Sequence, residues 1–238
     1  MTFAHSFIFL FYPKRKGRVN QTKGLANNPI MCYNTTMEKG KFIVLEGTDG
    51  SGKSTHAKLL AAALEGRGIP TLHTFEPTDR PVGQLIRRYL KGEIATCERT
   101  IAGLFLSDRL DHITHPEGLL AQLDKGVTVI CDRYYYSSIA YNCGSESPEW
   151  VTRLNMAAKE LLAPDLVIYL DLSPEAMEQR LIHRDFKEIY ETVEYQRKVR
   201  ARYFDAFASL GDNVKVIPCD RPKAEVAQEV LTTALQLF

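Results

Sequence analysis

Nine consecutive residues, GTDGSGKST from Gly47 to Thr55, have the types and spacing needed to hold a phosphate chain. They complete the pattern G-x-x-x-x-G-K-S/T, with Gly47, Gly52, Lys53 and Ser54 at its fixed places. Glycines let the backbone curl so that the amides of Thr48, Asp49, Gly50, Ser51 and their neighbours face the phosphates, and a following helix N-terminus adds favourable dipole. Lys53 is expected to bridge the β- and γ-phosphates, and the Ser54 hydroxyl to ligate Mg²⁺, with Thr55 closing the segment. His56 reads as a helix-surface histidine rather than a base.

A second cluster, CDRYYYSSIAYN from Cys131 to Asn142, follows the apolar run VTVIC. An acid at the end of a strand beside a phosphate loop is placed to organise the metal or to help an acceptor proton leave, which assigns Asp132 a catalytic and metal role. Arg133 offers a bidentate fork to an acceptor phosphate, which a lysine could not copy. A bare Asp-Arg pair is more often a salt bridge; the strand-end position is what favours the chemical reading. The third cluster is LFLSDRLDHI, Leu104 to Ile113.

The elements that must position these residues are legible as alternating patterns. Apolar runs at Lys41–Glu46, Thr71–Phe75, Val127–Cys131, Leu166–Leu172 and Val214–Pro218 predict strands, and the stretches between them read as helices. Strands alternating with helices imply parallel pairing and right-handed crossovers, hence a three-layer α/β/α fold with a five-stranded parallel sheet. Near-continuous apolar strands fit a sheet covered on both faces. Ligands of such sheets sit at the carboxyl ends of the strands. The phosphate loop alone says nucleoside triphosphate. No guanine-reading NKxD segment follows it and there is no long second domain, so a short kinase for a small molecule is favoured over a GTPase or a motor.

GTDGSGKST, FEPTD (Phe75 to Asp79), LFLSDR and DRYYYSSIAYN, in this order and spacing, resemble the thymidylate kinase (dTMP kinase) family. The resemblance runs from about Lys41 to the C-terminus, and DRYYYSSIAYN is its most specific part. It implies a P-loop kinase fold with a short lid, ATP and Mg²⁺ as donor and metal, and transfer of the γ-phosphate of ATP to dTMP, giving dTDP in dTTP synthesis. Carried over by position, Asp49 would hold the 3′-hydroxyl of the deoxyribose, Phe105 would stack on thymine, and Arg109 would bond the thymine edge. Arg133 would grip the acceptor phosphate, Ser137 would line the base site, and Tyr141 would pack where a ribose 2′-hydroxyl would lie. Members supply a further arginine from the loop or from the lid. Gly50 stands at the loop position, so the segment QRLIHRDFKEIYE, Gln179 to Glu191, which holds the lid candidate at about residues 180–191, must supply it. Arg184 is the catalytic choice with Lys187 its competitor, and Arg180 the choice for packing on adenine. Arg197, Arg200 and Arg202 read as surface charges. Many bacterial members carry an arginine where this chain has Phe75; Arg80 or Arg87 could substitute. The resemblance also implies a homodimer packed through helices. The alternatives are a kinase for another deoxynucleotide or a deoxynucleoside, or a non-catalytic nucleotide-binding protein.

Length and charge set the outer bounds. The 238 residues suit one domain, or at most two small ones, and 45% hydrophobic with 25% charged residues excludes a disordered or multi-spanning chain. The formal charge of +1 offers no nucleic-acid footprint. It is unevenly spread. Residues 1–37 hold five basic residues and no acid, leaving 25 basic against 29 acidic in residues 38–238. The first segment reads as an unstructured basic extension and the second as the kinase domain. The extension's apolar run, Phe7 to Tyr12, is far shorter than the ~20 residues of a membrane helix. Its basic residues follow that run, whereas a secretory signal places them before it. Five cysteines without a CxxC pair suggest reduced thiols and a cytoplasmic protein.

Overall fold

The computed structural model describes residues 38–143, 147–181 and 193–238. Five strands, β1 (Phe42–Gly47), β2 (Thr71–Phe75), β3 (Thr128–Asp132), β4 (Leu166–Asp171) and β5 (Val214–Pro218), form one sheet in the order β2-β3-β1-β4-β5, every pairing parallel. β1 is central. Its six residues are all buried, which is what a strand of near-continuous apolar residues requires.

The pleat sends alternate side chains to opposite faces, and the core divides accordingly. Phe42 and Val44 of β1 join Val129, Cys131, Val167 and Tyr169 on one face. Ile43 and Leu45 join Ile130, Ile168 and Leu170 on the other. The second face is closed by α1 (Lys53–Glu65) and α9 (Lys223–Ala234) through Leu60, Leu64, Val226 and Val230. The first face is closed by α3 (Glu98–Thr114), α5 (Tyr135–Tyr141), α6 (Pro148–Leu161) and α8 (Val193–Leu210). The expected three layers and five parallel strands are present.

Local chemistry explains the helix starts. Pro81 opens α2 (Pro81–Leu90), where its missing N–H costs nothing. Pro148 opens α6, and the Ser147 hydroxyl caps it by accepting from the Trp150 N–H at 3.3 Å. The last helix before β3, α4 (Leu119–Leu123), is short: the chain first turns at Gly118, whose N–H donates to the His115 carbonyl at 2.7 Å. α7 (Pro174–Leu181) ends the description of the segment before the expected lid, so Arg184 and Lys187 lie outside the described residues. Arg180 falls on α7, and its side chain lies outside them as well. So does the basic extension.

Leu64 is fully buried between α1 and the sheet. Leu64→Ala should therefore destabilise the fold by about 2–5 kcal/mol, read as a lower urea unfolding midpoint.

Candidate functional site

β1 delivers the chain to the phosphate loop at its carboxyl end. Gly47 has φ 153° and Gly52 has φ 89°, conformations that side chains resist. A Cβ on Gly47 would stand 2.6 Å from the Leu170 carbonyl oxygen. After Gly52 the chain enters α1, so the loop ends on a helix N-terminus. Lys53 is buried and folds back, its Nζ donating to the Thr48 carbonyl at 2.8 Å. Burial, reinforced by the Arg133 charge, pushes its pKa down to about 8 against the pull of Asp49, Asp132 and Glu46.

Parallel pairing sets Leu45 beside Asp132, so the end of β3 meets the loop. The Ser54 hydroxyl donates to Asp132 Oδ2. The other carboxylate oxygen of Asp132 is buried, as are the Thr48 and Ser51 hydroxyls, and none of the three has a hydrogen-bond partner among the described residues. Two adjacent hard oxygen donors, one carboxylate atom among them unsatisfied, fit a divalent cation with a preference for oxygen.

Arg133 has φ 71°, the left-handed region that a non-glycine residue seldom occupies. Its N–H donates to the Leu45 carbonyl at 2.9 Å, which anchors the turn while the side chain leaves β3 sideways. The guanidinium ion-pairs with Asp49 and donates to the Ser137 hydroxyl at 3.1 Å. It also lies 5.1 Å from the centre of the Tyr141 ring. Asp49 accepts from the Tyr141 hydroxyl at 3.0 Å and from Gln196 at 3.2 Å. Burial acts to raise the Asp49 carboxyl, but Arg133 and Lys53 outweigh it and hold the group below the usual carboxylate range. The predicted Asp49, Arg133, Ser137 and Tyr141 thus come together at one ion pair.

Ser137 is turned inward. Its hydroxyl donates to Glu46 Oε2 at 2.6 Å and lies 2.9 Å from the Tyr203 hydroxyl. Phe105 and Arg109 are one turn apart on α3, Phe105 partly buried and Arg109 only 1% exposed. Arg109 donates from Nε to Glu76 at 2.8 Å and from Nη1 to the Ser138 hydroxyl at 3.1 Å. Asp108 beside it accepts from the Thr78 N–H at 2.7 Å and the Thr78 hydroxyl at 2.6 Å. The FEPTD and LFLSDR segments are therefore stapled to each other, a pairing that reading them separately did not reveal.

Several expectations are corrected. His56 is buried, because its face of α1 turns toward the loop. The two arginines expected to stand in for the one missing before Glu76 make contacts of their own, Arg80 with Asp111 at 3.0 Å and Arg87 with the Thr78 carbonyl at 2.6 Å. Arg200 forks onto Asp171 at 2.6 and 2.7 Å, and Arg202 donates to the Ala140 carbonyl at 3.1 Å, so neither is a plain surface charge. The sequence reading missed Glu46, which is fully buried at the end of β1. The signal was available: a carboxylate closing an apolar strand.

The sequence profile of the family described as thymidylate kinase matches residues 45–230. The chain is 40% identical over 204 residues to the thymidylate kinase of Leptospira borgpetersenii serovar Hardjo-bovis (strain L550), covering 85% of this chain and 97% of that protein. It is 39% identical over 200 residues to the probable thymidylate kinase of Pyrococcus abyssi (strain GE5 / Orsay), covering 81% and 95%. It is also 39% identical over 167 residues to the thymidylate kinase of Plasmodium falciparum (isolate 3D7), covering 70% and 77%.

A polyphosphate held on this loop would bind the charged form of Lys53. With its pKa near 8, binding of a nucleoside triphosphate should draw a proton onto the enzyme and weaken as pH rises through that value. Titration calorimetry at about pH 7 and about pH 9 should show affinity lost by up to about tenfold per unit above the pKa, and Lys53→Met should remove that dependence.

Proposed function

The chain belongs to the thymidylate kinase family, whose enzymes phosphorylate thymidylate, and we propose that its donor is ATP with Mg²⁺ and that the residues assembled above carry the transfer. The observation that supports this most is the Asp49–Arg133 ion pair. Asp49 belongs to the phosphate loop and Arg133 to the end of β3, so the donor cradle and the acceptor grip share one contact.

In this reading the loop Gly47–Thr55 holds the donor phosphates on its amides and on Lys53. Mg²⁺ held by Ser54 and Asp132 would neutralise charge on the transferring group. Arg133 grips the 5′-phosphate of dTMP, Asp49 the 3′-hydroxyl, and Tyr141, already bonded to Asp49, excludes a 2′-hydroxyl. Phe105 stacks on the base and Arg109 bonds its edge. The bond from the γ-phosphorus to the bridging oxygen breaks as one forms to a dTMP phosphate oxygen. That phosphate has a second pKa of about 6, so near neutrality it needs no base, which favours the metal role for Asp132 over a proton-accepting one. Catalysis is then positioning plus charge stabilisation, without a covalent enzyme intermediate. Arg184 is assigned to the transferring phosphoryl group and Arg180 to adenine, on the family pattern alone.

The reading extends to a cytoplasmic homodimer, again on the family pattern. Cys97, Cys131 and Cys143 are free thiols, which suits a reducing compartment. No helix among the described residues is long and apolar enough to cross a membrane.

Purified protein with Mg²⁺-ATP should phosphorylate dTMP far faster than AMP, CMP or thymidine in a coupled ADP-release assay. A flat acceptor profile, or thymidine as the best acceptor, would overturn the reading. One methyl group separates dTMP from dUMP and is worth only ~1–3 kcal/mol, so dUMP should react measurably. Lys53→Ala and Arg184→Ala should each lower kcat by about 100-fold or more. An Arg184→Ala enzyme with unchanged kcat would move that role to Lys187.

A further inference from the structure

Arg109 is held from two sides by a buried polar chain. On one side Glu76 Oε2 accepts from Nε at 2.8 Å and stands 2.7 Å from Nη2. Glu76 is itself steadied: its Oε1 lies 3.1 Å from Nδ1 of His112, whose Nε2 lies 2.9 Å from the Thr74 hydroxyl. On the other side Nη1 donates to the Ser138 hydroxyl at 3.1 Å and to the Asn155 carbonyl oxygen. Asn155 is in turn fixed by donating to the Val151 carbonyl at 2.9 Å within α6. All five of these side chains except Thr74 are buried, and Arg109 also packs on the Tyr134 ring at 5.2 Å.

A guanidinium has five N–H donors in a rigid plane. These contacts occupy the Nε hydrogen, both Nη1 hydrogens and one Nη2 hydrogen, so a single Nη2 hydrogen is left. We infer that His112, acting through Glu76, and Asn155 are positioning residues that fix the Arg109 plane and so select the one N–H that meets the acceptor base. The inference rests on the assignment of Arg109 to the base edge. A single fixed donor discriminates by chemistry. The 4-oxo group of thymine or uracil accepts it, whereas the 4-amino group of cytosine presents another donor. Freedom of the guanidinium to rotate would blur that distinction without touching the phosphate loop.

The experiment compares kcat and KM for dTMP, dCMP and ATP in the wild-type enzyme, Asn155→Ala, His112→Ala and Asn155→Asp, each checked for folding by thermal unfolding. In both alanine variants kcat/KM for dTMP should fall by about ten- to hundredfold, chiefly through KM, as expected for a buried donor or acceptor losing its partner. The dTMP-to-dCMP ratio should contract by about tenfold or more, and KM for ATP should stay at the wild-type value. Asn155→Asp keeps an oxygen facing Nη1 and should retain more of the ratio than Asn155→Ala. If Asn155→Ala does not fold, His112→Ala and Asn155→Asp decide. An unchanged ratio in the folded variants, or KM values for dTMP and ATP rising together, overturns the inference while leaving the function intact. Failure of the wild-type enzyme on dTMP overturns both.

Discussion

The carboxylate of Glu46 is the constraint on which the rest of the site depends. It is fully buried at the end of the central strand, and burial raises its pKa despite the donors around it. It accepts from the Tyr134 N–H at 2.8 Å, the Ser137 N–H at 3.2 Å, the Ser137 hydroxyl at 2.6 Å and the Tyr203 hydroxyl at 2.9 Å. Three parts of the chain are thereby tied to the residue before the phosphate loop: the turn leaving β3, the start of α5, and α8. A buried carboxylate is costly unless its lone pairs are filled, so the elements that supply these donors have little freedom to be elsewhere. Removing Glu46 would leave their donors unpaired and detach the turn that carries Arg133 from the loop.

A second layer of support lies farther out. The hydroxyl of Tyr136 donates to Asp212 at 2.7 Å, and Tyr135 and Lys159 bond the same carboxylate. This fastens the far side of α5 to the turn before β5 and to α6. The short helix carrying Ser137 and Tyr141 is therefore held at both faces by side-chain hydrogen bonds as well as by packing.

Much of this architecture was readable in advance because it depends on local pattern. Strand boundaries followed from apolar runs, the helices from the stretches between them, and the phosphate loop from glycine spacing. The approach of Asp132 to Ser54 followed from parallel order alone. What escaped was what depends on partners distant in sequence. Nothing near His56 marks it as facing inward. Glu76 and Arg109 each stood out as motif residues, but their pairing across 33 positions belongs to the tertiary fold. Asn155, in the middle of an ordinary amphipathic helix, carried no signal until α6 was placed against α3. Charged residues were the least predictable class: Arg200 and Arg202 looked solvated, yet one found a carboxylate nearby and the other a backbone carbonyl.

The backbone at Arg133 has a consequence for how this fold balances local strain against side-chain contacts. Its left-handed conformation costs a residue with a Cβ about 1–2 kcal/mol, a cost that glycine would escape. On conformational grounds alone the position belongs to glycine, but a glycine there would strip Asp49 of its ion pair, a loss that offsets the relief of strain. Such a variant would keep the turn and lose the guanidinium that links the two halves of the site. The strained turn persists because the contacts of the side chain, to Asp49, Ser137 and the Tyr141 ring, over-determine it.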